Sequence, residues 1–297
     1  MSQSDFLYKT PGTLRAPWRL VIFVVAALAA QLILSATVGL MLRTVFAVIS
    51  APPDTSGAWV ASLSFLAATA FCVKVVDHQS WSEVWLGRDE ARTPVLLIGF
   101  AVGALAIAVP TAMLILAGWL RNDGGVQGSW LIAMLQITLL LVPAALIEEL
   151  MMRGYLLAVL RDAWGWKWAI VATSIVFGLL HLFNPGVSVE SILLVVLAGF
   201  FLAGVLYVTK SLYAAWLAHF AWNWTMAAVF HVAVSGIPME TPNYHYVDAG
   251  PDWATGGQWG PEGGLPAALG MGATMVFLYS NKKRREAEAE ASVESHS

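Results

Sequence analysis

Eight apolar runs, most of them near twenty residues long, constrain this chain more than any other feature. They fall at about 20–42, 58–76, 94–120, 129–161, 168–183, 189–208, 212–232 and 265–280. A helix needs about 20 such residues, rising about 1.5 Å each, to cross the hydrocarbon of a bilayer. The predicted fold is therefore all-α: a polytopic membrane protein of about eight transmembrane helices in one bundle. Composition agrees, because 58% of the 297 residues are hydrophobic and 12% are charged, where about 25% charged is usual for a soluble domain. The mean hydropathy is +0.70. Run 168–183 is short and run 129–161 is long, and the latter is predicted to bend at Pro143, which lacks a backbone donor.

A net charge of −3, without a basic patch interleaved with aromatics, gives no sign of a nucleic-acid partner, and none is expected. The single cysteine, Cys72, excludes an internal disulfide and a cysteine zinc cluster. It reads as a small buried hydrophobe. The first run follows Lys9, Arg15 and Arg19, but it is too long for the core of a signal peptide, so it reads as a retained anchor.

Lysine and arginine set orientation. With the N-terminus in the cytoplasm and eight alternating segments, thirteen of these residues fall on the cytoplasmic side and only Arg43 and Arg121 outside, with Arg153 inside the membrane. Both termini are expected in the cytoplasm, and the membrane is expected to be the plasma membrane. Residues 1–128 hold three segments and a Trp-rich, charged interfacial stretch at 78–92. Residues 129–232 form the core that carries polar groups, and 233–264 form an extracytoplasmic loop. Residues 265–297 form a last helix and a solvated, disordered cytoplasmic tail. "GFAVG" at 99–103 fits the small-xxx-small pattern of close helix packing. No internal repeat is evident.

Charged side chains in mid-membrane are costly and commonly functional, and "EELMMR" puts three in one run: Glu148, Glu149 and Arg153. Glu149 and Arg153 are four apart on a helix and can pair. Such a pair can also serve only to lock helices together. Glu148 points about 100° away and has no partner on its own helix. "FGLLH" places Phe177 and His181 on one helical face, and "HFAWN" does the same for His219 and Asn223. Measured from the nearest basic boundary at about 1.5 Å per residue, Glu148, His181 and Asn223 each lie about 20 Å deep and His219 about 14 Å. Three helices are thus predicted to bring these groups into one layer. A lone helical histidine is more often structural, and His78, His231, His245 and His296 are expected to be non-catalytic.

A carboxylate helped by histidine can take a proton from water. A histidine and an amide can donate hydrogen bonds to an oxyanion. No serine or cysteine nucleophile is paired with these groups, and H-E-x-x-H is absent. Two histidines and a glutamate are also a zinc donor set, so the residues alone leave both chemistries open.

In order and on separate segments, the three motifs resemble the E-E-x-x-x-R, F-x-x-x-H and H-x-x-x-N pattern of the CAAX-protease and bacteriocin-processing family, also called type II CAAX prenyl endopeptidase-like. The resemblance spans about 129–232. Met152 stands where many relatives have phenylalanine, outside the fixed motif positions. The resemblance implies an eight-helix intramembrane endopeptidase whose site opens toward the cytosol. It implies that Glu148 with His181 activates water, that His219 with Asn223 forms the oxyanion site, and that Glu149, Arg153 and Phe177 support them. The expected substrates are membrane-associated peptides or lipidated proteins, including CAAX-type ones. No cofactor is expected; zinc is the alternative, held by Glu148, His181 and His219. Two other functions fit intramembrane Glu and His: a proton-coupled transporter, which predicts broken helices or a repeat, and a non-catalytic bacteriocin-immunity or scaffold protein.

Overall fold

The computed structural model describes residues 7–10, 13–239 and 241–294; the expectation for His296 lies outside them. Among the described residues there are eight main helices: α1 Ala16–Val48, α2 Thr55–Val76, α3 Thr93–Leu116, α4 Trp130–Arg153, α5 Tyr155–Leu179, α6 Val189–Thr209, α7 Leu212–Trp224 and α8 Leu265–Glu294. Two small antiparallel pairs accompany them, β1 Tyr8–Thr10 with β2 Thr13–Leu14, and β3 Leu120–Asn122 with β4 Tyr246–Asp248. The fold is all-α and polytopic. By length and composition, five stretches can cross a membrane: α1, α2, α3, α6 and the combined α4–α5 stretch Trp130–Leu179. Helix α7, with 13 residues, is shorter than a full span, although a π-helical turn at Thr225–Phe230 extends it.

Three boundaries differ from the sequence reading. The run 129–161 is not one helix, because the backbone leaves helical geometry at Gly154, where a Cβ would stand 2.4 Å from the Leu150 carbonyl oxygen. Helix α5 is then interrupted at Gly165, whose φ of +78° strongly favours glycine. Pro143, where the sequence predicts a bend, lies inside α4. It cannot donate to the carbonyl of Leu139, four residues back, and the Trp59 indole N–H donates to that oxygen instead, at 3.0 Å. Finally, the charged tail is helical as far as Glu294. Its Ala and Glu residues favour helix, and Lys282–Glu286 and Arg284–Glu288 pair at i,i+4.

Helices α4, α6 and α7 start on serine caps. Ser129 accepts from the Ile132 N–H, Ser188 forms a reciprocal capping box with Ser191, and Ser211 accepts from the Ala214 N–H. The "GFAVG" glycines face α7. A Cβ on Gly99 would lie 2.4 Å from the Ala214 carbonyl oxygen, and one on Gly103 would lie 1.9 Å from that of Ala218. Because Ala218 precedes His219, this contact sets where His219 sits. Gly103→Ala is expected to push α3 and α7 apart, cost about 1–3 kcal/mol as overpacking does, and lower the thermal unfolding midpoint in detergent. An unchanged midpoint would show that the two helices are not held this closely.

Buried apolar residues form two clusters. One centres on Ile107, Phe177, Phe201 and Met226 and surrounds the polar motifs. The other, with Phe23, Cys72, Leu150, Tyr155, Leu157 and Leu212, fills the end of the bundle where α1 and α7 begin and α2 and α4 finish. Cys72 is free and fully buried there. Outside this cluster lies a charged layer. Arg19 pairs with Asp77 at 2.6 Å and the Tyr155 hydroxyl donates to the same carboxylate. Arg161 meets Glu83 and lies over Trp85. The stretch 78–92 docks here, since Trp85 and Leu86 carbonyls accept from Leu212 N–H and the Tyr213 hydroxyl. Lys210 stacks on Tyr207 and Trp166. Burial, then the nearby Lys282 and Arg161 charges, lower its pKa. At the opposite end, Gln136 donates to the Ser50 carbonyl, β3 pairs with β4, and Asn184 donates to the Ser235 carbonyl.

Candidate active site

Helices α4, α5 and α7 bring Glu148, His181 and His219 together. The Nε2 atoms of His181 and His219 lie 3.9 and 3.8 Å from one atom, Glu148 Oε2. That oxygen is buried and accepts no hydrogen bond among the described residues. The Glu148 side chain is 31% exposed, and it lines a cavity of about 740 Å³ together with His181 and Asn223. Asn223, Phe177, His181 and His219 also line a smaller adjoining cleft.

The residues therefore meet, but not by the depth reckoning. Glu148 lies five residues before the end of α4, about 8 Å from it, because the helix stops at Arg153 rather than Arg161. His181 still reaches it because α5 turns at Gly165 and only its second arm runs back through the bundle.

Each ring is held at its far nitrogen. His181 Nδ1 lies 2.9 Å from the Phe177 carbonyl oxygen, which can only accept, so the ring hydrogen sits on Nδ1 and Nε2 is left to face Glu148. His219 Nδ1 lies 2.9 Å from Glu149 Oε1. The same Glu149 oxygen accepts from Arg153 Nη1 at 2.9 Å, and both side chains of that ion pair are fully buried. Arg153 also donates from Nη2 to the Gly199 carbonyl at 3.1 Å. Its guanidinium carbon lies 4.3 Å from the centre of the Phe177 ring. Residue 199 must be small, since a Cβ there would come within 2.9 Å of Ser174. Phe177 touches His219 edge-on at 5.9 Å and His181 at 5.0 Å, so one ring packs against both imidazoles and the Arg153 guanidinium.

Two features escaped the sequence reading. Glu149 orients His219 as well as pairing with Arg153; nothing in helical spacing says which neighbouring helix it faces. Glu262, far along the chain, accepts from the Trp222 indole N–H and from the Ser235 N–H and hydroxyl. It lines the same small cleft and ties the 233–264 loop to α7. The other histidines keep structural settings: His231 contacts the Tyr244 carbonyl and stacks on its ring, and His245 contacts the Gly124 carbonyl.

The large cavity leads to a definite end of the bundle. Its rim includes Arg43, Pro53, Asp54, Ile237 and Met239, which lie at the end away from the Arg19–Asp77 layer. The basic residues gather at the other end. A cytoplasmic basic end and a site that opens toward the cytosol are therefore mutually exclusive.

A polytopic, all-α membrane protein with a carboxylate and two imidazoles gathered inside its bundle defines a class: proteins that place polar chemistry within the bilayer. Within it, residues 129–225, about a third of the chain, match the family model of Type II CAAX prenyl endopeptidase Rce1-like proteins. Over that stretch the chain is similar to this family, and the similarity implies an intramembrane protease. No match is found among curated proteins or among solved structures.

Proposed function

We propose that this protein is an intramembrane endopeptidase that hydrolyses peptide bonds with a water activated by Glu148 and His181. The supporting observation is that both histidine Nε2 atoms lie within 4 Å of a single carboxylate oxygen that is free of other partners and lines a large cavity. The gap of 3.9 Å is too long for a direct hydrogen bond, but a bent water bridge spans it. Glu148 takes a proton from that water, and the hydroxide attacks the carbonyl carbon. The resulting oxyanion accepts from the Asn223 amide and from His219 Nε2–H. His219 must then carry protons on both ring nitrogens, and the Glu149 carboxylate at Nδ1 supports that form as the triad aspartate does in serine proteases. Arg153 in turn balances Glu149. The C–N bond breaks as the proton held on Glu148 passes to the leaving amine.

Zinc suits the donor types, since it binds imidazole and carboxylate. The spacing does not close: among the described residues, no group of three such side chains stands close enough to hold an ion. The steps above therefore rest on Glu148, His181, His219 and Asn223 alone. Purified protein in detergent is expected to cleave a peptide substrate at an undiminished rate after dialysis against a chelator. Activity that falls away and returns on adding zinc would overturn the metal-free reading. The substrates are membrane-associated polypeptides. The bilayer is the setting and no nucleic acid is involved. The thirteen-to-two bias of basic residues supports a membrane protein with both termini in the cytoplasm.

A further inference from the structure

We infer that the site takes its substrate from the extracytoplasmic face of the membrane: an exported protein, or a segment of a membrane protein that faces outward. This rests on the endopeptidase reading above, and three observations carry it.

The first is the direction of the cavity. From Glu148 it passes Ala144, Leu141 and Leu140, which are successively farther from the α4 end at Arg153. It reaches the exposed rim at Pro53, Asp54 and Ile237. On α1 it follows Gln31 to Arg43, again away from the start of that helix. The second is the seal on the other side. The apolar cluster of Phe23, Cys72, Leu150, Tyr155 and Leu157 stands between Glu148 and the charged layer, and each of these residues is at most 4% exposed. A separate recess of about 120 Å³ at that end, bounded by Arg19, Asp77, Tyr155 and Asp162, touches none of the site residues. The third is charge. Thirteen basic residues belong to the sealed end, whereas Arg43 and Arg121 belong to the open one. Basic residues near helix ends stay in the cytoplasm, so the open end faces out.

The rim fits an extended polypeptide. Asp54 and Arg43 give it both signs of charge, and Ser56, Asn184 and Ser235 add polar groups between apolar ones. A cavity of about 740 Å³ is in the range that takes a drug-sized ligand, and a few residues of peptide are of that size.

Thiol labelling in the membrane tests this without relying on catalysis. The native chain has only the fully buried Cys72 as background. Ala144→Cys, one turn from Glu148, and Ile237→Cys at the rim are expected to react with a membrane-impermeant, charged methanethiosulfonate reagent added to intact cells. Trp164→Cys, exposed at the basic end, is expected to react only in inside-out vesicles. Leu140→Cys provides a second cavity position if Ala144→Cys accumulates poorly. The reverse pattern would overturn the inference, as would a reactive rim with both cavity positions silent. Either result would leave the endopeptidase reading standing. Conversely, the expected labelling in a protein that cleaves nothing would sink that reading alone.

Discussion

Glu148→Gln is expected to lower the cleavage rate by about a hundredfold to ten-thousandfold, the usual contribution of a positioned general base, with the unfolding midpoint barely changed. Glutamine has the size of glutamate but takes up no proton from water. The side chain is partly exposed and forms no ion pair closer than the 3.8 and 3.9 Å histidine approaches, so little structure depends on its charge. Rate and thermal unfolding, measured on the same detergent-purified protein, separate the two effects. A variant that retains more than a tenth of the rate would remove Glu148 from the role of base. Glu149→Gln should behave differently, because Glu149 acts through His219 and Arg153 and its loss reaches both activity and stability.

The second large effect concerns Arg153. Arg153→Met is expected to destabilise the protein by about 3–5 kcal/mol, the cost of leaving one member of a buried ion pair alone. The lost groups are specific. Glu149 Oε1 would keep only the His219 contact, the Gly199 carbonyl would lose its donor, and the space over Phe177 would be filled by a thioether. The double variant Arg153→Met with Glu149→Gln should recover part of the loss, since both charges then disappear together. Unfolding measurements that place the single variant within about 1 kcal/mol of the native protein would mean that the pair is not a closed, dry contact.

Much of this was legible in the chain. The apolar runs pointed to the membrane helices because hydropathy over about twenty residues is a direct physical requirement of crossing. The two glycines of "GFAVG" marked the close approach of α3, although not its partner α7. Helical geometry separated Glu148 from Glu149. What escaped depended on packing between distant parts of the chain. The break after α4 falls at Gly154, where only a residue without a Cβ clears the Leu150 carbonyl. The indole of Trp59, some eighty residues away, replaces the hydrogen bond missing at Pro143. Local spacing shows only neighbours on the same helix, so it pairs Glu149 with Arg153 and gives no sign of His219. The direction of the cavity was equally hidden, since it follows from which helix ends stay open after the bundle closes. The charge of the tail beyond 280 suggests disorder, whereas its alternating Ala and Glu form good helix.

Gly165 has a consequence for the surrounding lipid. The arm of α5 that carries Phe177 runs only from Gly165 to Leu179, about 22 Å at about 1.5 Å per residue. A bilayer's hydrocarbon is roughly 30 Å thick. Trp164 and Trp168, each 58% exposed, flank the bend, and tryptophan settles at the headgroup level. An arm so short, anchored by tryptophans at one end, draws the nearby bilayer thinner. Hydrophobic mismatch thus brings the aqueous boundary toward the imidazoles and gives a hydrolytic site inside a membrane a nearby supply of water.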